Sequence, residues 1–277
     1  MRLMGIIFEI SVVTDDEIWA IEKMSNAFAE IQRIENLLSN DIVDSQTNLI
    51  NQNAGIAPVK VDKEIFNLID RSLKISELTH GAFDITRVYG NGANSAPHTN
   101  YLDVLLYPET TTVLLKEKGT MIDLSGISKG YIADRVKYML QIQGVSSGVV
   151  NAGGDLITWG YQPDGKPWTV GAAAPNLGNN AISNLNISNM AVATSVNQQT
   201  QPFNIGDAQN KPGLAVSGVK SVSVLSPSAE LADAMAIHVM MMGVRVSLNL
   251  INRLNQLACV ITNNRKKVYT SKNLSYR

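Results

Sequence analysis

Residue types that mark several common classes of catalytic and metal site are scarce in this 277-residue chain. It contains one cysteine, Cys259, and three histidines, so an internal disulfide is impossible and no spacing typical of a zinc site occurs. Neither the P-loop pattern nor the dinucleotide pattern G-x-G-x-x-G is present. The sequence therefore predicts a site built from groups other than thiolates, imidazoles or a standard nucleotide-binding loop.

The chain also lacks an excess of charge of either sign. Its 23 basic and 24 acidic residues give a formal net charge of −1, which offers no electrostatic basis for binding nucleic acid or an anionic membrane surface. No run approaches the roughly 20 consecutive apolar residues of a membrane span, and the opening MRLMGIIFEISVV reaches Glu9 too soon for a signal peptide. We therefore expect no nucleic-acid partner, no transmembrane segment and no export signal.

Hydrophobic residues make up 45% of the chain, enough to build one large domain or two interlocked subdomains. Apolar periodicity predicts helices over residues 15–38 and about 62–78. A third helix is expected to open at the motif IDLSGISKGYIADR and to run to about residue 142, and a last helix to begin near Ser226-Pro227. In the first of these helices, apolar residues at three- and four-residue spacing predict a buried seam: Ile18, Ile21, Met24, Phe28, Ile31, Ile34 and Leu38.

Strands are predicted over residues 4–13, within VLLYPETTTVLLKEKGTMIDL, and through most of the second half of the chain. The second-half strands lie in GVVNAGG, LITWGY, WTVGAA, MAVATSV, SVSVLS and the closing hairpin ACVITNNRKKVYTS. Helices followed by a strand-rich half indicate an α+β fold.

The stretch IDLSGISKGYIADR, residues 122–135, places two glycines and a lysine between an apolar segment and a helix. Glycines let the backbone approach a ligand closely, a helix N-terminus offers unpaired N–H groups, and Lys129 adds a positive charge. These features suit a phosphate group, but a tight turn that feeds a helix would give the same pattern. The motif alone leaves both interpretations open.

Three further stretches place polar groups beside glycines or at the ends of strands. They are VNAGGDL with Asn151, Gly153, Gly154 and Asp155, HGAFDIT with Phe83 and Asp84, and VATSV with Thr194 and Ser195. Each stretch also has a structural interpretation, as a bend, a turn carboxylate or hydroxyls that satisfy the local backbone.

A fifth stretch, SPSAELADAMAIHVMMMG, places Asp233 on a strongly apolar helix. A buried carboxylate needs a partner, because an unpaired buried charge is costly. Mg²⁺ is one candidate, since it binds one or two carboxylates together with carbonyls and phosphates, and carboxylates such as Asp84, Asp123 and Asp155 lie in the glycine-containing turns. Pairing of Asp233 with an arginine or a lysine is an equally good interpretation.

Taken together and in order, these motifs resemble the ApbE family, the FAD:protein FMN transferases. The resemblance covers nearly the whole chain and predicts a single ApbE-like domain over residues 1–277, made of two interlocked α+β subdomains with mostly antiparallel sheets. The matching segments are Met4-Gly5, DSQTNLIN, GAFD, IDLSGISKGYIAD, VNAGGDL, WTVGAAAP, ATS and ADAMA.

The resemblance implies a Mg²⁺-dependent enzyme that transfers FMN from FAD to a threonine hydroxyl of a target flavoprotein and releases AMP. It assigns Mg²⁺ to the main-chain carbonyl of Gly126 and to Asp233, and catalytic roles to Asp233 and Asp207. It assigns contacts with FAD to Met4, Ala82, Phe83, Asp84, Asp123, Lys129, Asn151, Gly153, Gly154, Thr194, Ser195 and Ile205.

The sequence departs from the family pattern at three places. Relatives carry a threonine that meets the metal one turn after the helix aspartate, and this chain has Ile237 there, which supplies no oxygen. Asn204 replaces a histidine tied to activity, while Ile205 and Asp207 are retained, and Val196 replaces a glycine that follows ATS. These departures concern turnover and metal affinity rather than the fold.

Two alternatives to transfer follow from these departures. One is a degenerate relative that binds FAD without transferring FMN, and the other is an FAD pyrophosphatase that releases AMP and FMN to water. Family members are typically exported and anchored at the cell envelope, whereas this sequence shows no signal peptide, so the cellular location is left open.

Overall fold

The computed structural model describes residues 2–3, 5–86, 100–170, 185–197 and 218–274. Every pair of strands in these ranges is antiparallel, which confirms the predicted α+β class with mostly antiparallel sheets. The α-helices are α1 (Glu17–Leu38), α2 (Gln46–Gln52), α3 (Lys63–Leu78), α4 (Ser125–Ile142) and α5 (Ala229–Ile251).

The strands are short and most of them fall in the second half of the chain, as predicted. In chain order they are β1 (Arg2–Leu3), β2 (Ile6–Val12), β3 (Val59–Lys60), β4 (Val104–Tyr107), β5 (Thr112–Leu115), β6 (Gly148–Ala152), β7 (Asp155–Trp159), β8 (Thr169–Val170), β9 (Leu185–Asn186), β10 (Ala191–Val196), β11 (Val219–Ser226), β12 (Ala258–Asn263) and β13 (Val268–Thr270).

The chain forms two compact units whose segments alternate along the sequence, so the units are interlocked. The first unit contains the described residues of Met1–Ile31, Lys129–Pro202 and Pro212–Arg277. The second contains those of Gln32–Ser128. Helices α1 and α4 each begin in one unit and end in the other.

The first unit is built on an eight-stranded sheet in the order β1-β2-β6-β7-β10-β11-β12-β13, beside a small β8-β9 ribbon. Helix α5 packs against β10 and β11. The core is formed by large side chains that are fully buried, among them Phe8, Val150, Trp159, Val224 and Ile261. Burial of such apolar groups is the main source of stability, about 25 cal/mol for each Å² removed from water.

Helix α5 is long and apolar enough to cross a membrane by length and composition. In this structure, however, 56% of its most apolar window is buried inside the protein, and its buried side chains include Ala232, Met235 and Val239. The helix is kinked at Gly243, where φ is 75° and ψ is 165°, a left-handed conformation that glycine adopts without a steric penalty. Its apolar composition is accounted for by packing on the sheet.

The second unit contains the three-stranded sheet β3-β5-β4 together with α2 and α3. Helix α3 buries one apolar face, with Ile65, Leu68 and Ile69 fully buried. Helix α2 was not predicted, because only Thr47 and Ile50 are buried in an otherwise polar segment. Its start is fixed by Ser45, whose hydroxyl accepts a hydrogen bond from the Asn48 N–H at 3.1 Å.

Three details of the sequence prediction were wrong. Ile18 and Ile21 of the predicted seam are exposed, at 83% and 57%, and Ala20 and Ala27 occupy the buried face instead. Residues 122–124 form no strand. Ser228, and not Ser226, caps α5, because its hydroxyl accepts from the Leu231 N–H at 3.2 Å.

Candidate active site

The GAFD turn and the start of α4 lie together in the second unit. The Asp123 N–H donates to the Ile85 carbonyl at 2.7 Å. A methyl group placed on Gly126, in the first turn of α4, would lie 3.8 Å from the Phe83 ring. Two motifs separated by about forty residues in the sequence are therefore adjacent in the fold.

Asp84 is buried, at 4% exposure, and its carboxylate holds the turn together. One oxygen accepts from the Thr86 N–H at 2.9 Å and from the Thr86 hydroxyl at 2.7 Å, and the other accepts from the Tyr101 N–H at 3.3 Å. Ala82 and Phe83 are also buried, at 7% and 2% exposure. The turn enters this arrangement through Gly81, whose φ of 73° suits glycine. Asp84 thus has a structural role whether or not it also contacts a ligand.

Asp123, unlike Asp84, lies just before the first turn of α4. Its Oδ1 accepts from the Ser125 N–H at 2.8 Å, an arrangement that satisfies one of the N–H groups left unpaired at the start of a helix. The helix N-terminus is favourable for anions, because its N–H groups carry partial positive charge.

In the first unit, Lys129 lies between two carboxylates. Its Nζ is 2.8 Å from Asp155 Oδ2 and 3.2 Å from Asp233 Oδ1. The second oxygen of Asp233 accepts from the Gly130 N–H at 3.0 Å. The pairing of Asp233 with a lysine, one of the two interpretations of this residue, is present in the structure.

This cluster of Lys129, Asp155 and Asp233 carries a net charge of −1 when all three groups are ionised. Burial raises the pKa of Asp233 to about 6, an effect that the charge of Lys129 opposes and the charge of Asp155 reinforces. Burial alone would lower the pKa of Lys129, but the charges of Asp233 and Asp155 outweigh it and raise that pKa above its ordinary range. The lysine therefore stays protonated, and the cluster has one negative charge in excess.

Asp155 joins the cluster to the sheet. Its Oδ1 accepts a hydrogen bond from the Thr194 N–H on β10 at 2.9 Å, while its Oδ2 accepts one from the ammonium group of Lys129. The Thr194 hydroxyl shares a 2.9 Å hydrogen bond with Ser223 on β11. Because successive strand residues face opposite sides of a sheet, the side chain of Ser195 points away from that of Thr194. The structure thus brings Lys129, Thr194 and Asp233 together through Asp155 but separates Ser195 from them.

Asp155 was not among the residues that the sequence assigned to the site. The signal was present, since Asp155 directly follows the Gly153-Gly154 pair. Its partners are 26 and 39 residues away in the chain, however, and the carboxylate was weighed only as one of several in glycine-containing turns.

The VNAGGDL stretch forms the tight turn between β6 and β7. Gly153 and Gly154 have φ of 65° and 100°, and a side chain on Gly154 would meet no atom within 4 Å, so this turn is open on one side. Asn151 fixes the turn: its Oδ1 accepts from the Gly154 N–H at 2.8 Å, and its Nδ2 donates to Glu9 at 2.7 Å. The bend and the site interpretations of this motif are both compatible with this geometry.

The pattern G-x-S-x-G, which can mark a nucleophilic serine, occurs twice, at 126–130 and at 144–148. The first copy lies inside α4 and the second connects the end of α4 to β6, whereas a nucleophile elbow connects a strand to a helix. The serines in the nucleophile position are Ser128, which is buried at 1% exposure, and Ser146. Neither copy therefore has the backbone setting of a nucleophile elbow.

The cluster has donor groups that suit Mg²⁺ but too few to hold it alone. Among the described residues, no group of three or more histidine, cysteine, aspartate or glutamate side chains could hold a metal ion. Asp155 and Asp233 supply hard carboxylate oxygens, and Ile237, one turn after Asp233, supplies none. Mg²⁺ is commonly held by one or two carboxylates, with substrate phosphates and water completing its shell, so the two aspartates fit such a shared site.

Met4, Ile205 and Asp207 lie outside the described residues, as does Asn204. Their predicted roles stay predictions. Gly126 is described and lies in the first turn of α4, and the role of its carbonyl as a metal ligand is likewise a prediction.

The sequence matches the model of the ApbE family over residues 4–261. The chain belongs to the ApbE family. A relative from Klebsiella pneumoniae, named FAD:protein FMN transferase, is 32% identical over 212 residues, which cover 70% of this chain and 64% of that protein. A second relative from the same organism and with the same name is 26% identical over 271 residues. The aligned region covers 87% of this chain and 77% of that relative.

Solved structures of the ApbE family share the fold. The flavin transferase ApbE from Vibrio cholerae superposes with a TM-score of 0.84 at 21% identity, and covers 98% of this chain and 96% of its own. The ApbE protein from Thermotoga maritima gives a TM-score of 0.80 at 25% identity, with coverage of 98% and 95%. The predicted ApbE-like fold is therefore confirmed, and the chain belongs to an enzyme family.

Proposed function

We propose that this ApbE-family chain transfers FMN from FAD to a threonine hydroxyl of a target flavoprotein, with Mg²⁺, and releases AMP. The observation that carries the proposal is the cluster of the half-buried Lys129 and Asp155 with the buried Asp233. Its three residues come from three of the family-like motifs, DLSGISKG, VNAGGDL and ADAMA. The ammonium group of Lys129 pairs with both carboxylates, which leaves the cluster with one excess negative charge. The names of the curated relatives supply the flavin chemistry.

The reaction makes one bond and breaks one. The threonine oxygen forms a bond to the phosphorus on the FMN side of the FAD pyrophosphate, and the bond from that phosphorus to the bridging oxygen breaks. AMP leaves with the bridging oxygen, and the threonine proton passes to a carboxylate acting as general base. Asp207 is the proposed base, since the resemblance assigns it a catalytic role.

The chain's own residues bind and orient FAD in this proposal. Lys129 and the N–H groups at the start of α4 supply positive charge for the pyrophosphate, and the open Gly153-Gly154 turn lets the backbone approach it. The turn with Ala82, Phe83 and Asp84 contacts the nucleotide, as do Asp123, Asn151 and Thr194. Positioning of this kind is most of what phosphoryl transfer requires from a protein.

The metal would be held by Asp233, with Asp155 beside it and the Gly126 carbonyl as a further ligand. When bound, Mg²⁺ offsets the negative charge that develops on the phosphate oxygens as AMP departs. Lys129 neutralises part of the aspartate charge in the ligand-free protein, so the lysine and the metal complement the same two carboxylates.

The proposal is tested by incubating the protein with FAD, Mg²⁺ and a threonine-bearing peptide from a flavoprotein, and measuring peptide mass and AMP. Transfer predicts a peptide whose mass rises by that of FMN less one water, and the release of one AMP for each modified peptide. AMP and FMN with an unmodified peptide would replace transfer by hydrolysis, and FAD binding without either product would indicate a flavin-binding relative. A matched peptide with valine in place of the threonine controls for modification elsewhere, and absence of FAD binding would overturn the proposal.

A further inference from the structure

Helices α4 and α5 approach each other unusually closely within the first unit. A side chain on Gly130 would lie 2.2 Å from the Ala229 carbonyl oxygen and 2.7 Å from the Glu230 Cα, far inside van der Waals contact. Only glycine fits at this position of α4, because backbone atoms, unlike the ends of flexible side chains, cannot move aside cheaply.

One turn further along α4, Asp134 binds the first N–H groups of α5. Its Oδ1 accepts from the Ala229 N–H at 2.9 Å, and its Oδ2 accepts from the Glu230 N–H at 3.0 Å and from the Ser228 hydroxyl at 2.8 Å. Ser228, directly before α5, already caps this helix through the Leu231 N–H. Asp134, on a different helix, accepts from the N–H groups of Ala229 and Glu230, which would otherwise be unpaired at the helix start. Its negative charge also lies at the positive end of the α5 dipole.

The contacts between the two helices form a reciprocal pair. An aspartate of α4, Asp134, accepts from the start of α5, and an aspartate of α5, Asp233, accepts from the Gly130 N–H of α4 at 3.0 Å. Within each helix the two contact residues are four positions apart, which is about one turn or 6 Å. Sliding or rotation of α5 along α4 must break at least one of the two contacts.

We propose that Asp134 is a positioning residue: it fixes α5 against α4 so that Asp233 faces Gly130 and Lys129 in the orientation that metal binding requires. This inference rests on the proposed function, because the orientation of Asp233 matters there as a metal ligand. Asp134 itself touches neither Lys129 nor Asp233 through any described hydrogen bond or ion pair, so its effect passes through the backbone of α5.

The test compares Asp134→Ala with a matched cap variant, Asp16→Ala. Asp16 also accepts a backbone N–H at a helix start, from Trp19 at 2.9 Å, but it caps α1, which carries no proposed site residue. Asp134→Asn is a second, milder variant, since it keeps one acceptor oxygen and preserves the fold if the alanine variant does not. Two quantities are measured: NMR amide exchange at Gly130, and the affinity for Mn²⁺, used as a probe for Mg²⁺, without FAD.

We expect Asp134→Ala to speed Gly130 exchange and to weaken Mn²⁺ binding, each by about tenfold, as for other residues that orient metal ligands. Asp134→Asn should show smaller changes in the same direction. Asp16→Ala should lower the melting temperature but leave both readouts within about twofold of wild type. Partial recovery in the asparagine variant distinguishes positioning from a general loss of stability.

The inference is overturned if Asp134→Ala and Asp16→Ala lower stability alike while Gly130 exchange and Mn²⁺ affinity stay at the wild-type values. If the wild-type protein binds no Mn²⁺, the proposed metal site fails, and the exchange rate at Gly130 alone decides whether Asp134 positions α5. The fate of the positioning role is thereby separated from that of the proposed function.

Discussion

The two buried aspartates of the candidate site are used in opposite ways in the two units. In the second unit, both oxygens of Asp84 accept hydrogen bonds from neutral donors of its own turn and from Tyr101. In the first, Asp233 faces a lysine shared with Asp155, and burial raises its pKa to about 6. Asp84 stabilises a loop, whereas Asp233 holds a charge that a bound cation can use. Burial of a carboxylate therefore does not by itself indicate chemistry; the nature of its partners does.

The largest expected effect comes from Asp233→Ala. Removal of the carboxylate should lower the rate of FMN transfer at saturating Mg²⁺ by at least about 100-fold, because charge stabilisation at the phosphate is lost. Lys129 keeps Asp155 as a partner, so the protein should stay folded, which circular dichroism checks. A transfer rate that still responds to Mg²⁺ as in wild type would place the metal elsewhere.

Asp84→Ala should act chiefly on stability. It removes three hydrogen bonds to buried or half-buried groups, and we expect the free energy of unfolding to fall by about 2–3 kcal/mol in urea denaturation. Asp84→Asn keeps acceptor capacity on one oxygen and should lose less. If Asp84→Ala unfolds with the wild-type free energy, the structural role of Asp84 is contradicted, and contact with a ligand is left as its only role.

Gly130→Ala and Gly126→Ala form a matched pair in the same helix. The added methyl clashes with the backbone of Ala229 at the first position but makes only an ordinary 3.8 Å contact with Phe83 at the second. Gly130→Ala should therefore cost about 1–3 kcal/mol of stability, whereas Gly126→Ala should be neutral or slightly stabilising, since alanine favours helix. Equal thermal unfolding temperatures for the two variants would argue against the close approach of α4 and α5.

The protonation of Asp233 makes a prediction about pH. The folded protein raises the pKa of this carboxyl from 3.8 to about 6, so it holds the proton more tightly than the unfolded chain does. The stability that this adds is complete below the unfolded value and is lost as pH rises through about 6. Relative to Asp233→Asn, which does not titrate, the ligand-free wild type should lose stability over that window. Parallel pH profiles for the two proteins in urea titrations would refute the shift.

Ile237→Thr tests the smallest effect. A threonine one turn after Asp233 would place a hydroxyl on the same helix face, and we expect it to strengthen Mg²⁺ activation a few-fold. Ile237→Val, which resembles threonine in shape but lacks the hydroxyl, is the control. No difference between the two variants in the Mg²⁺ concentration at half-maximal activity would remove Ile237 from the metal site.

The sequence predicted the long periodic elements well and the contacts between distant segments poorly. Helix α3 followed from its apolar spacing, since a 16-residue amphipathic pattern has few alternatives. Helix α2 did not, because its burial depends on tertiary contacts at only two positions. The sequence predicted that Asp233 pairs with either a metal ion or a basic residue. It could not identify Lys129 as the partner, because this lysine lies more than a hundred residues earlier in the chain.

The order of the motifs was enough to predict the family, whereas the contacts of individual residues are known only from the structure. The roles of Asp155 and Asp134 arise from hydrogen bonds between strands and helices whose relative placement no local pattern encodes. The sequence predicts that the glycines of IDLSGISKGYIADR allow the backbone to approach a ligand, whereas the structure uses Gly130 for close packing of two helices. The glycines of one motif therefore serve different purposes.

The most direct test of the account is an anomalous-scattering experiment on crystals of the protein grown with FAD and Mn²⁺. We predict a manganese peak about 2.1 Å from a carboxylate oxygen of Asp233, in contact with the FAD pyrophosphate. A bound FAD whose pyrophosphate lies away from Asp233 and Lys129, or a manganese ion bound to other residues, would contradict it.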